Sequence, residues 1–269
     1  MRLHVEQLGS DGDLLVVLSA FGLDHTPMAA AIEPVFSELP GWRRLYVDLP
    51  GTGESPTLIP PQSDSVLDKV IDTILGGLHQ QRFAVLGWSY GGYIGAGVVR
   101  RLPDQVSGLM MVCSGFKIRF QDRNLSGVLQ SHPQPGWLDQ VPAHLHEHLA
   151  RAVGHQTGEI ANNIAAVVNA NRNTDDGFLG SLRANGFALS NEGELPSTFN
   201  APICFVAGKR DRIVGYASLL DALGHYENAS LTCISGAGHY LPVEQPHVFA
   251  SITKGWLQQC QSHLDHTHR

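Results

Sequence analysis

One serine in this 269-residue chain has neighbours that could make it a nucleophile. Gly87-Trp88-Ser89-Tyr90-Gly91, followed by Gly92, fits the pattern G-x-S-x-G. That pattern carries chemical meaning where a strand leads into it and a helix leads out. The short apolar run at 83–86 and the small-residue run at 90–101 supply both. Glycines on each side remove the Cβ atoms that would clash in so sharp a turn, and the hydroxyl can project from its tip. The helix start adds the Tyr90 N–H and a dipole that favours negative charge. A serine hydroxyl is a weak nucleophile without a base. His239, in Gly236-Ala-Gly-His-Tyr-Leu-Pro242, follows the last apolar run and precedes the last helical one. That places it at the same sheet edge as Ser89. His79 falls before a strand, at the opposite edge; the histidines from His132 to His155 fall in a different segment, and His263, His266 and His268 in the tail. The base needs an acid to fix its tautomer and stabilise the imidazolium. Asp211 follows the strand-like run at 203–207 directly and is the first candidate. Glu244, on the helix that starts just after His239, is the weaker one. The order Ser89, Asp211, His239 is the order this kind of site takes on a strand–turn–helix scaffold.

These side chains need elements that converge on one edge. Runs at 14–18, 42–48, 83–86, 106–113, 203–207 and 231–234 read as strands. Periodic runs at 28–38, 63–79, 90–101, 216–223 and 243–261 read as helices, Pro34 kinking the first or delaying its start. Alternation of this kind predicts an α/β fold: a mostly parallel sheet with helices on both faces and the site at the C-terminal strand ends. The alternation stops from 116 to 199, where helical runs near 143–153, 159–170 and 178–184 are interspersed with prolines. So long a connection predicts an inserted helical cap over the site edge. The expected organisation is core at 1–115, cap at 116–199 and core again at 200–269.

With these features together, the chain resembles the α/β-hydrolase superfamily over nearly its whole length. The resemblance rests on the serine turn, on Asp48-Leu-Pro-Gly-Thr-Gly-Glu-Ser55 (similar to the family's D-x-P-G-x-G-x-S loop), on Gly208-x-x-Asp211, and on Gly238-His239 followed by Pro242 and Pro246. It implies an oxyanion hole made by the Phe21 and Tyr90 amides. The family usually has His-Gly after its first long strand, where this chain has Ser19-Ala20. Ala20 is therefore expected to narrow the backbone next to the oxyanion hole. Family members that act as dehalogenases and epoxide hydrolases carry aspartate in place of the serine, which disfavours those activities. Trp88 and Tyr240 flank the chemistry and are expected to line a substrate pocket.

Other classes fall away. The formal charge is −7, so no basic excess is available to neutralise phosphates, and a nucleic-acid partner is not expected. No early apolar run approaches the ~20 residues of a membrane span, and no leader-like run precedes Gly9. Cys113, Cys204, Cys233 and Cys260 lie far apart and read as buried free thiols of a cytoplasmic protein. His144-Leu-His-Glu-His148 fits a metal-ligand spacing, but no third ligand is evident, so a polar helix face is the expectation. No G-x-G-x-x-G or P-loop frame occurs, and no cofactor or metal is expected. The reading is a serine hydrolase acting on a small, largely apolar ester, lactone, thioester or related acyl compound. The alternatives are a lyase or cyclase using the same triad as an acid–base pair, and a non-catalytic small-molecule binding protein.

Overall fold

The structure is a computed structural model that describes residues 2–77, 82–170 and 173–267. Seven strands form its sheet: β1 (Val5–Leu8), β2 (Asp13–Leu18), β3 (Trp42–Val47), β4 (Phe83–Trp88), β5 (Val106–Val112), β6 (Ile203–Gly208) and β7 (Ala229–Ile234). Their order is β1-β3-β2-β4-β5-β6-β7. β1 pairs antiparallel with β3, and every other pairing is parallel. Successive side chains of a strand point to opposite faces. Accordingly Leu14, Val16 and Leu18 enter one apolar cluster, and Leu15 and Val17 the other. The first cluster is closed by α2 (Ser63–Gly77), α3 (Tyr90–Arg101) and α7 (Ala217–Leu223). The second is closed by α1 (Thr26–Phe36) and α9 (Pro246–Thr267), with the short α8 (Leu241–Glu244) between β7 and α9. Burial on both faces explains the nearly continuous apolar runs of β4 and β5, which are buried at every residue, Ser107 included.

Between β5 and β6 the chain forms single 3₁₀ turns at Phe120–Asp122 and Ala143–Leu145, then α4 (His146–Ala152), α5 (Gly158–Ala170) and α6 (Asp176–Asn185). No strand interrupts this segment among the described residues. Phe178, Leu179 and Leu182 join the first apolar cluster, and Leu149, Ala161 and Ile164 the second. The insertion thus shares its apolar contacts with both faces of the sheet.

Four local expectations need correction. β1 is an added strand, four residues long and nowhere buried, pairing Val5 with Val47 at the sheet edge. α1 starts early, at Thr26, with Pro27 in its first turn and Pro34 retained inside it. The first-turn proline costs nothing because its missing N–H would have had no helical partner. Cys113 stands just past β5 with φ +45°, and Cys233 is only half-buried; all four thiols are free. His79 lies outside the described residues. Among the described residues no helix is long and apolar enough to cross a membrane.

The loop after β3 is tied down by Asp48, whose side chain is 1% exposed. One carboxylate oxygen accepts from the His25 amide (2.9 Å) and meets His25 Nδ1 (2.8 Å). The other meets His4 Nδ1 (2.8 Å) and accepts from the Glu54 amide (3.2 Å). Burial works against a charged His25, but the Asp48 hydrogen bond and the Asp48 and Glu6 charges outweigh it and raise its pKa. Asp48 thereby joins β1, the loop after β2 and the loop after β3. Asp48→Ala leaves four donors without their acceptor and is expected to lower unfolding free energy by about 3 kcal/mol in urea titrations.

Candidate active site

The strand–turn–helix at β4 and α3 forces Ser89 into φ +54°, ψ −116°. Such a conformation costs a residue with a Cβ about 1–3 kcal/mol and persists only where surroundings dictate it. Here the surroundings are backbone. A Cβ on Gly87 would lie 2.4 Å from the Gly91 carbonyl carbon, and one on Gly91 would lie 2.3 Å from the Leu18 carbonyl oxygen. The turn is therefore wedged against the end of β2, and glycine is required at both positions. The Ser89 amide donates to the Val112 carbonyl (2.8 Å), which locks the turn to β5.

His239 comes from the loop after β7 and is 6% exposed. Its Nε2 lies 2.9 Å from Ser89 Oγ, and its Nδ1 lies 2.9 Å from Asp211 Oδ2. Asp211, fully buried after β6, accepts at Oδ1 from the amides of Ile213 (2.8 Å) and Val214 (3.0 Å). With Oδ1 so engaged, Oδ2 is left to the imidazole. The three residues singled out by type and order thus meet in one hydrogen-bonded row. Trp88 Nε1 donates to the His239 carbonyl (2.9 Å), and the Trp88 and Tyr240 rings meet edge to face at 5.5 Å. Both border the cleft above Ser89, although Trp88 is fully buried and forms its floor.

Phe21 and Tyr90 line the cleft together with Ser89, their rings edge to face at 5.4 Å. Tyr90 opens α3, where a helix leaves its first N–H groups without internal partners. The Ser19-Ala20 departure does not distort this loop. Among the described non-glycine residues only Ser89 and Cys113 have positive φ, so Ala20 has ordinary backbone. Gly22 takes the φ of +79° in a turn closed by the Leu23 amide on the Ala20 carbonyl (3.1 Å).

Three features escape sequence reasoning. Glu244 is the first: although it is not the acid facing His239, it is 7% exposed and accepts from the amides of Gly238 (2.9 Å), Gly154 (2.8 Å) and His155 (3.1 Å). It ties the His239 loop to the insertion. Burial raises its pKa despite these amides. The second is His148. His144 sits in the 3₁₀ turn before α4 and is exposed, so the two histidines do not share one helical face. His148 instead borders the cleft, with Nε2 3.0 Å from Tyr240 Oη. Desolvation, with the nearby charges of His239, Arg183 and Arg151, lowers its pKa to about 4. Burial pushes the Tyr240 hydroxyl up, so Tyr240 donates and neutral His148 accepts. The third is the character of the cleft, about 600 Å³ in volume. Its lining includes Arg119, Arg123, Arg151 and Arg183 and no carboxylate, where an apolar pocket was expected.

The α/β hydrolase fold family matches residues 14–246. Pimeloyl-[acyl-carrier protein] methyl ester esterase of Shewanella woodyi is 30% identical over 153 residues, 56% of this chain and 53% of that protein. The matched stretch thus spans about half the length of that relative. A 2-hydroxy-6-oxononadienedioate/2-hydroxy-6-oxononatrienedioate hydrolase of Burkholderia vietnamiensis is 25% identical over 96% of this chain and 92% of its own. The crystal structure of an α/β superfamily hydrolase from Oenococcus oeni superposes with a TM-score of 0.84 at 24% identity, covering 96% of each chain. The chain belongs to the α/β hydrolase fold family. It is an α/β-fold hydrolase whose relatives are esterases and hydrolases.

Two outcomes follow for the residues around the imidazole. Glu244→Gln turns an N–H₂ toward one of the three amides and is expected to cost about 1–3 kcal/mol of stability, with a parallel loss of activity. Calorimetric unfolding and a rate assay check this together. Ring NMR of His148 is expected to show it neutral down to pH 5 and protonating near about 4. The kcat/KM profile from pH 5 to 8 should then show a single ionisation.

Proposed function

We propose that this protein is a serine hydrolase that cleaves a small ester, lactone, thioester or related acyl compound by way of an acyl-enzyme. The observation that carries the reading is the row Asp211–His239–Ser89, with 2.9 Å at each junction and the serine held at a strained turn. Ser89 Oγ attacks the carbonyl carbon while His239 Nε2 takes its proton. Asp211 keeps the other proton on Nδ1 and stabilises the imidazolium. The oxygen of the tetrahedral intermediate gathers negative charge between the Phe21 and Tyr90 amides, where one lost donor typically costs ~10²–10³ in rate. Protonated His239 gives its proton to the leaving group. A water then attacks the acyl-enzyme with His239 as base, and Ser89 is regenerated.

Segment 116–199 acts as the cap that shapes the pocket; Arg119, Arg151 and Arg183 reach the cleft from it. No metal or cofactor enters the reaction. The partner is a small molecule, and neither nucleic acid nor membrane is required. Four free thiols fit a cytoplasmic location.

The test uses a fluorophosphonate probe and an activated ester. Intact mass should show one covalent adduct on the wild type and none on Ser89→Ala, which should fold normally and lose turnover. Asp211→Asn should lower kcat by roughly 10²–10⁴ because the imidazole can adopt the wrong tautomer. Turnover retained by Ser89→Ala would overturn the reading.

A further inference from the structure

The chain has a formal charge of −7, yet its cleft is cationic. Its four arginines are not equivalent. Arg123 is engaged with backbone, its guanidinium donating to the carbonyls of Ile118 and Ile213. Arg119 also borders a second cavity, which Asp64 and Glu192 line as well. Arg183 and Arg151 remain. The Arg183 guanidinium lies 4.5 Å over the Phe21 ring, and that of Arg151 lies 4.9 Å over the Phe120 ring. Neither side chain has an ion-pair or hydrogen-bond partner among the described residues. Desolvation lowers the pKa of Arg183, and no neighbouring carboxylate offsets it. An exposed guanidinium packed over an aromatic ring, lining a cleft and without an anion, is arranged to receive one.

Reach limits what that anion can be. From the Phe21 amide to its ring, and from the ring to the Arg183 guanidinium, is at most roughly 10 Å by ordinary bond lengths. With the oxyanion of the reaction at the Phe21 amide, the charge bound by Arg183 lies within about ten chain atoms of the reacting carbonyl. His148 places the same charges near the base: it is hydrogen-bonded to Tyr240 and lies within electrostatic range of His239, Arg183 and Arg151.

We propose that the substrate carries a carboxylate within about ten chain atoms of the carbonyl that Ser89 attacks, and that Arg183 binds this carboxylate with Arg151 adding to the field. The substrate class is therefore an ester or related acyl derivative of a short dicarboxylic acid. This inference rests on the serine-hydrolase reading of the same cleft, which it narrows. A planar guanidinium can take a carboxylate through two parallel hydrogen bonds, which selects for geometry as well as charge.

The experiment compares the mono-p-nitrophenyl ester of adipic acid with the same ester methylated at its far carboxyl. The wild type should favour the free acid by about 10²-fold in kcat/KM, within the range that charge-lined clefts produce. Raising NaCl from 0.05 to 0.5 M should shrink that preference several-fold, a reading that needs no variant. Arg183→Met should reduce the preference to under about tenfold, Arg183→Lys should keep part of it, and Arg151→Met should lower it less. A third arm compares an acyl phosphopantetheine thioester with the phosphate-free acyl N-acetylcysteamine thioester. A preference there, with none for the adipate, would assign the arginines to a phosphate and overturn the proposal. Equal rates on acid and methyl ester in the wild type would also overturn it. Turnover is not needed for the last arm, titration of Ser89→Ala with adipate and dimethyl adipate by calorimetry. Adipate binding lost in the added Arg183→Met change supports the carboxylate site even if the fluorophosphonate fails to label Ser89. Labelling of Ser89 with no adipate binding keeps the hydrolase reading and rejects the carboxylate.

Discussion

Everything at this site depends on one close backbone approach. The turn at Ser89 can exist only because Gly87 and Gly91 let the start of α3 press on the end of β4 and on the Leu18 carbonyl. That contact sets φ +54° at Ser89, points its hydroxyl out of the sheet edge and brings the Tyr90 amide beside the β2 loop that carries Phe21. Ser89 and both proposed oxyanion donors are therefore positioned by one steric constraint. Strain of about 1–3 kcal/mol is sustainable because the parallel sheet around it is buried on both faces. A side chain at either glycine would act on β2 and β4 together, and so on stability and chemistry at once.

His239 is held by a second close approach, this time to the insertion. A Cβ on Gly238 would lie 2.2 Å from the Ala152 carbonyl oxygen, and the His239 amide donates to that same carbonyl at 2.6 Å. Glu244 spans the junction through three amides. The insertion that borders the cleft is thus in backbone contact with the loop that carries His239. Arg151 precedes Ala152 directly, so a shift of α4 that moves a cleft cation also moves the carbonyl under the imidazole. Substrate fit and imidazole placement are mechanically coupled, without any need for a large domain motion.

How far the sequence could be read follows from where each signal is stored. Ser89 was legible because its constraint is local: glycines within three residues, a strand before and a helix after. Asp211 and His239 were legible because each follows a strand, and parallel strands deliver their ends to one edge. β1 was not, because a four-residue edge strand with half-exposed side chains lacks the apolar run by which buried strands are recognised. The role of Glu244 was hidden since its donor partner Gly154 is 90 positions away. His148 was read as a polar helix face because a helical period gives a side chain's direction and not what waits there. Its neighbour Tyr240 lies 92 positions on. The departure at Ala20 looked costly in sequence because the family's glycine suggested a strained backbone. In the fold Gly22 takes that strain instead.

The arginines were the least legible feature and bear most directly on selectivity. Arg151 and Arg183 come from separate helices of the insertion, and neither forms a basic run that a scan of the chain would mark. Net charge gave the opposite impression, since a chain of −7 does not suggest an anion-binding cleft. Net charge, however, governs the distant field, screened within about 8–10 Å at ordinary ionic strength. Inside a walled cleft the nearest groups decide, and here they are guanidinium groups over aromatic rings with no carboxylate among the lining residues. An acidic exterior repels anions at long range, and a cationic cleft attracts them only once they are close. On the proposed carboxylate site, that combination would favour small anions that can enter the cleft over large polyanions, which meet the field of the whole acidic chain first.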